Sequence, residues 1–120
     1  MRYLLLIYGD ENAWAGQTPT PEDQAAEMKR WTEYTDWLKE KGWHLGGEAL
    51  EPTSAATTVR EQNGQILTTD GPFAETKEQL GGYYLIRCAN LDEAIEAASR
   101  IPSVGQGSVE VRPIMEFGEE

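Results

Sequence analysis

The sequence contains one cysteine, Cys88, and one histidine, His44, in 120 residues. A lone cysteine excludes an intrachain disulfide, and a lone histidine excludes any metal site built on two or more imidazoles. Basic residues are also scarce: 10 Lys and Arg stand against 21 Asp and Glu, for a formal net charge of −11. They are scattered, and the longest basic run is Lys29-Arg30. Nucleic-acid binding relies on clustered cations meeting phosphates, so no nucleic-acid partner is expected. Long apolar runs are missing as well. The N-terminal stretch Tyr3 to Tyr8 is too short to span a bilayer. Its acidic break at Asp10-Glu11, with no small-residue cleavage site nearby, argues against a secretory signal. No membrane partner is expected, and the cytoplasm is the expected compartment. Gly105-Gln106-Gly107 lacks the lysine of a phosphate loop and opens no helix. With no catalytic triad and no cofactor fingerprint, no metal or cofactor is expected.

What is present suffices for one globular domain over 1–120. Hydrophobic residues make up 39% of the chain and include four Trp, enough for a core without metal or disulfide staples. Arg2 to Tyr8 is a continuous apolar run followed by Gly9, the pattern of a strand buried on both faces. Gly9 to Thr18 is expected as a loop. Thr20-Pro21-Glu22-Asp23 then supplies an N-cap, a first-turn proline and two acids at the positive end of a helix dipole. This helix is expected to end near Lys41, at Gly42, with Met28, Trp31, Thr35 and Leu38 as its core stripe.

Trp43 to Leu50 reads as a strand, weakened by Gly46-Gly47, a pair that suggests a bend or a close backbone approach. Asn63-Gly64 between Ala55–Glu61 and Gln65–Asp70 is a strong hairpin signal. Gly82 to Cys88 is a second strand with apolar residues of both parities. Asn90 and Glu93 form a capping arrangement for a second helix, whose stripe is expected at Leu91, Ile95, Ala98 and Ile101. Ser108 to Phe117 alternates as a last strand, after a loop over Ser103 to Gly107.

The stretch Thr69 to Ile86 combines an Asp70-Gly71-Pro72 reversal, a Phe73 that reads as buried, a charged segment, Gly81-Gly82 and an apolar strand. Together with Tyr3 to Tyr8, Gly9-Asp10-Glu11 and Glu110-Val111-Arg112-Pro113, it resembles the YCII-related family, in the branch named after the Asp-Gly-Pro-Phe tetrapeptide. The resemblance implies a ferredoxin-like α+β protomer, βαββαβ with an extra hairpin, that pairs into a dimeric α/β barrel. The element order by itself points the same way. It gives two helices on one face of an antiparallel sheet, while two strands read as buried on both faces. A second copy of the chain is the economical cover for the other face, so a homodimer is expected.

Five residues carry candidate chemistry. Asp70, before Gly71-Pro72, is either a base or ligand anchor in a cleft, or a turn residue capping a backbone N–H. His44 is either a proton carrier oriented by Asp70 or a half-buried histidine at a helix-to-strand junction. The resemblance implies a His–Asp pair in some family members, but no matched motif places that histidine at His44. Arg112 is either a clamp for a carboxylate or phosphate in a shared cavity or the partner of a nearby acid such as Glu110 or Glu48. Tyr8 and Phe73 complete the expected ligand-binding set, and Trp14 and Trp31 are candidates for the cavity mouth. Cys88 reads as a small core residue. The function expected is proton-transfer chemistry on a small, anionic organic molecule, with a non-catalytic ligand-binding or regulatory module as the alternative.

Overall fold

The computed structural model describes residues 1–15 and 17–118, with backbone alone at 14 and 15. Strands β1 (Arg2–Gly9), β2 (His44–Ala49), β5 (Gln79–Arg87) and β6 (Gly107–Pro113) form one sheet in the order β2-β5-β1-β6. All its pairings are antiparallel. Strands β3 (Thr57–Gln62) and β4 (Gln65–Asp70) form a separate two-stranded hairpin. Helices α1 (Glu11–Ala15), α2 (Pro21–Lys41) and α3 (Leu91–Ser99) complete the chain. Leaving aside α1 and the hairpin, the order βαββαβ with two central strands flanked by the second and last is the ferredoxin-like α+β arrangement.

The long helix α2 begins and ends on local chemistry. The Thr20 hydroxyl accepts from the Asp23 N–H at 3.1 Å while the Asp23 carboxylate accepts from the Thr20 N–H at 3.2 Å, so two orphan donors are satisfied reciprocally. At the other end Gly42, at φ 77°, donates to the Leu38 and Lys39 carbonyls. α3 is capped by the Asn90 side chain, which accepts from Glu93 N–H at 3.0 Å. The Glu93 carboxylate reaches one residue further back than a capping box requires and accepts from Ala89 N–H at 2.8 Å.

The core lies between the sheet and α2 and α3. Tyr3, Leu5 and Ile7 of β1 and Ile86 of β5 pack with Tyr34 and Leu38 of α2, Trp43, and Ala94, Ala97, Ala98 and Ile101 at α3. The alanines let α3 sit close to the sheet. Cys88 joins this core, and burial pushes its thiol pKa up.

Five local expectations are corrected. The segment expected as a loop over Gly9 to Thr18 contains α1, because Asp10 Oδ1 accepts from Asn12 N–H at 2.9 Å and starts a helical turn. Met28 is 71% exposed rather than in the core: the buried face of α2 is rotated toward Tyr34 and Leu38, with Trp31 and Trp37 flanking it. Leu91 and Ile95 lie on the outer side of α3, about half exposed at 49% and 50%. Phe73 is 74% exposed. Strand β1 is not equally buried on both faces. Its odd residues are buried and its even ones only half-buried, since helices cover one side of the sheet and no described segment covers the other.

Glycine matters at two further places. The Asn63-Gly64 turn has φ 53° and 78°, the primed geometry that joins two strands tightly and suits this dipeptide. At Gly47 a Cβ would stand 2.6 Å from the Tyr83 carbonyl oxygen, whereas one at Gly46 would meet nothing within 4 Å, so Gly47 alone serves the close approach of β2 to β5, beside a bulge between His44 and Gly46.

Candidate functional site

Period-two alternation sorts the predicted site residues onto different sides of the sheet. In β1 the odd residues face the helices, so Leu4, Leu6 and Tyr8 face the other way. Register pairs them with Leu85 and Tyr83 of β5 and with Arg112, Glu110 and Ser108 of β6. The result is an open sheet face with a half-buried apolar centre of Leu4, Leu6, Tyr83 and Leu85. Tyr8, Glu110 and Arg112 form its polar border.

That border is hydrogen-bonded. The Tyr8 hydroxyl donates to Glu110 Oε1 at 3.3 Å. Arg112 donates from Nε to Glu110 Oε2 at 2.8 Å and also from Nη2 to the same oxygen. One carboxylate therefore holds a phenol on one oxygen and a guanidinium on the other. Partial desolvation and the adjacent Glu110 charge raise the Tyr8 pKa, which keeps the phenol protonated as a donor. Hydrogen bonding to Glu110 likewise raises the Arg112 pKa. Sequence reasoning had named Glu110 only as a possible salt-bridge partner. Its place beside both Tyr8 and Arg112 follows from the β1–β6 register, which the sequence does not display.

His44 sits on the opposite side of the sheet. It pairs in register with the buried Ile86, and its ring stands edge-on to Tyr84 with 6.2 Å between centroids. Tyr84 itself faces α2, hydrogen-bonded to Thr35 at 2.8 Å and edge-on to Tyr34 at 5.2 Å. Trp31 lies on that side too, its ring parallel to that of Tyr84 at 6.5 Å. The side chain of Trp14 lies outside the described residues.

Asp70 closes the base of the hairpin, opposite Thr57. It is exposed, and among the described residues its carboxylate makes no hydrogen bond or ion pair. An Asx turn at Asp70 would need the N–H two residues on, and Pro72 has none; the neighbouring Gly71 N–H donates to the Ala56 carbonyl at 2.7 Å. Gly71 adopts φ 101°, and the following residues return across one face of the hairpin. Thr58 Oγ1 donates to the Gly71 carbonyl at 2.8 Å and Arg60 to the Phe73 carbonyl at 2.7 Å. The protomer thus brings together Tyr8 and Arg112, and leaves His44, Asp70 and Phe73 apart from them and from one another.

A second network, missed from sequence, ties the hairpin base to the end of β1. Glu11 accepts from Thr53 N–H at 2.9 Å and from the Thr53 hydroxyl at 2.7 Å, while the Glu11 N–H donates to Gln79 Oε1 at 2.9 Å. Nearby, Ser108 donates to the Glu78 carboxylate at 2.8 Å. These contacts set the Asp-Gly-Pro corner at the same end of the sheet as Tyr8. No cluster of three or more His, Cys, Asp and Glu able to hold a metal occurs among the described residues. No described helix is long and apolar enough to cross a membrane.

The model of the YCII-related domain matches residues 1–118. The chain belongs to the YCII-related domain family. Within it, the chain is similar to a protein of Rhizobium meliloti (strain 1021) that is itself described only as uncharacterized. The two are 41% identical over 122 residues, covering 95% of this chain and 92% of the relative. This YCII-related protein thus carries the family's domain over nearly its whole length.

Proposed function

We propose that two copies of this YCII-related protein pair through their open sheet faces and bind a small organic anion between them, without metal or cofactor. The observation that supports this most is the Tyr8–Glu110–Arg112 border on a half-buried apolar surface that the protomer's own helices leave uncovered. An apolar floor with a few convergent polar groups is the usual composition of a ligand site. There Arg112 exchanges its Glu110 contact for a ligand carboxylate or phosphate, the planar fork matching two oxygens at once.

A thermal-shift screen of small carboxylates and phosphates tests this. Ligand at about a hundred times its dissociation constant adds roughly 2.7 kcal/mol of stability, a rise of several degrees. The expected result is a hit that Arg112→Gln abolishes in a protein of unchanged ligand-free melting temperature. The same hit in both proteins removes Arg112 from the site.

Proton transfer on the bound molecule is the second reading, favoured by the Tyr8–Glu110 hydrogen bond. Here Tyr8 and Glu110 handle the proton and the unpaired Asp70 serves as base or anchor. Tyr8→Phe and Asp70→Asn then each abolish turnover of the screened ligand without unfolding the protein. His44→Ala tests the pairing expected from sequence. Lost turnover with an intact fold keeps His44 in the site, and full turnover removes it.

A further inference from the structure

We infer that the ligand of the open sheet face is an amphipathic monocarboxylate, its head on Arg112 and its apolar tail laid across the strands to Gly46. The inference rests on the anion site proposed above and names its ligand class. Register supplies the track. Arg112 stands opposite Leu4, Leu4 opposite Leu85, and Leu85 opposite Gly46. Directly opposite residues share a face of the sheet, so these residues form one straight row from β6 to β2 on the uncovered side. Gly47 fixes the parity of β2, because a Cβ there would meet the Tyr84 side chain at 3.0 Å, on the helix side.

The chemistry changes along the row. It begins at a guanidinium, crosses the half-buried Leu4 and Leu85, and ends where the strand carries no side chain. Backbone geometry does not require that glycine. Gly46 lies outside the left-handed region, and a Cβ there would meet nothing within 4 Å. A glycine inside a strand weakens it; what this one supplies is open space at the end of an apolar row. With strands about 4.8 Å apart the row is about 14 Å long. An extended chain of about ten carbons covers that length.

The neighbouring row sets the charge. Glu110 stands opposite Leu6, Leu6 opposite Tyr83, and Tyr83 opposite Glu48. A carboxylate therefore borders the track at each end. Glu110 lies at the head, bonded to Tyr8 and Arg112, and Glu48 lies at the tail. Beside Glu110 a head of single charge is repelled less than a phosphate monoester, which carries about −1.5 to −2. A dicarboxylate long enough to span the row would bring its second charge up to Glu48. A monocarboxylate with an uncharged tail avoids both repulsions.

Isothermal titration of the full chain with straight-chain monocarboxylates from butanoate to decanoate tests the track. On wild type the dissociation constant should fall about fourfold per added methylene. Gly46→Leu should melt no lower than wild type, since open space receives the side chain. Its gain in affinity from butanoate to decanoate should be smaller than that of wild type by about tenfold or more. Unspecific apolar binding would instead gain from the added leucine. Decanedioate should bind wild type about tenfold more weakly than decanoate, and Glu48→Gln should recover most of that loss. Affinity that does not rise with chain length, or an undiminished gain in Gly46→Leu, overturns the track. If Gly46→Leu melts lower, Glu48→Gln decides, and no recovery of decanedioate binding overturns the track equally. Butanoate binding that Arg112→Gln abolishes keeps the anion site when the track fails. A wild type that binds no carboxylate overturns both.

Discussion

Tyr34 shows how much one residue joins. Its ring lies between Trp37 at 5.9 Å and Tyr84 at 5.2 Å, and its hydroxyl donates to the Ala97 carbonyl of α3 at 2.7 Å. Burial pushes its pKa well above the ordinary tyrosine value of 10.0. The sign of the pH effect follows. The folded phenol keeps its proton where an unfolded tyrosine loses it, so its contribution is full below pH 10 and fades as pH rises beyond that. Tyr34→Phe should cost about 1 kcal/mol at pH 7 through the lost hydrogen bond. By pH 11, ionisation of the unfolded wild type should remove about 1.4 kcal/mol, cancelling that advantage and leaving Tyr34→Phe slightly the more stable. Urea unfolding at pH 7 and pH 11 checks this, and a constant difference would mean that the phenol is not protected. Neither the stripe nor the composition singled out Tyr34, because its role depends on α3 crossing above it.

At the scale of elements, α2 separates local from tertiary information. Its limits were legible because Thr20, Pro21, Asp23 and Gly42 act within a turn of themselves. Its buried face was legible only in part, since Trp31, Thr35 and Leu38 recur with Met28 at helical spacing whichever of two neighbouring stripes is buried. Leu38 is fully buried and Met28 is 71% exposed. Leu38→Ala should therefore destabilise by about 2–5 kcal/mol, while Met28→Ala stays within about 0.5 kcal/mol. Chemical denaturation of the two variants decides it, and equal losses would restore the rotated stripe. The β3–β4 hairpin was also legible, because Asn63-Gly64 dictates a tight turn by backbone sterics alone.

The whole molecule adds the consequence of charge. Each copy carries a formal net charge of −11, so in the proposed pair the two copies would repel one another. Raising salt from about 0.01 M to 0.15 M shortens the screening length from about 30 Å to 8 Å. Pairing through apolar surfaces should therefore tighten as salt rises, by sedimentation at fixed protein concentration. Weakening with salt would mean that ion pairs, not apolar contact, hold the two copies.

The sequence by itself determined the ferredoxin-like element order, the helix caps, the hairpin turn and the family, because each depends on residues close in the chain or on a long motif. Only the tertiary structure decided which stripe of α2 is buried, that Phe73 stands in solvent, and that His44 lies across the sheet from Tyr8 and Arg112. It also decided that Glu110 joins Tyr8 to Arg112 and that Glu11 ties Thr53 and Gln79 together. The physical reason is register: hydrogen bonds between strands distant in the chain choose which side each residue faces, and a slip of one residue would exchange the two sides.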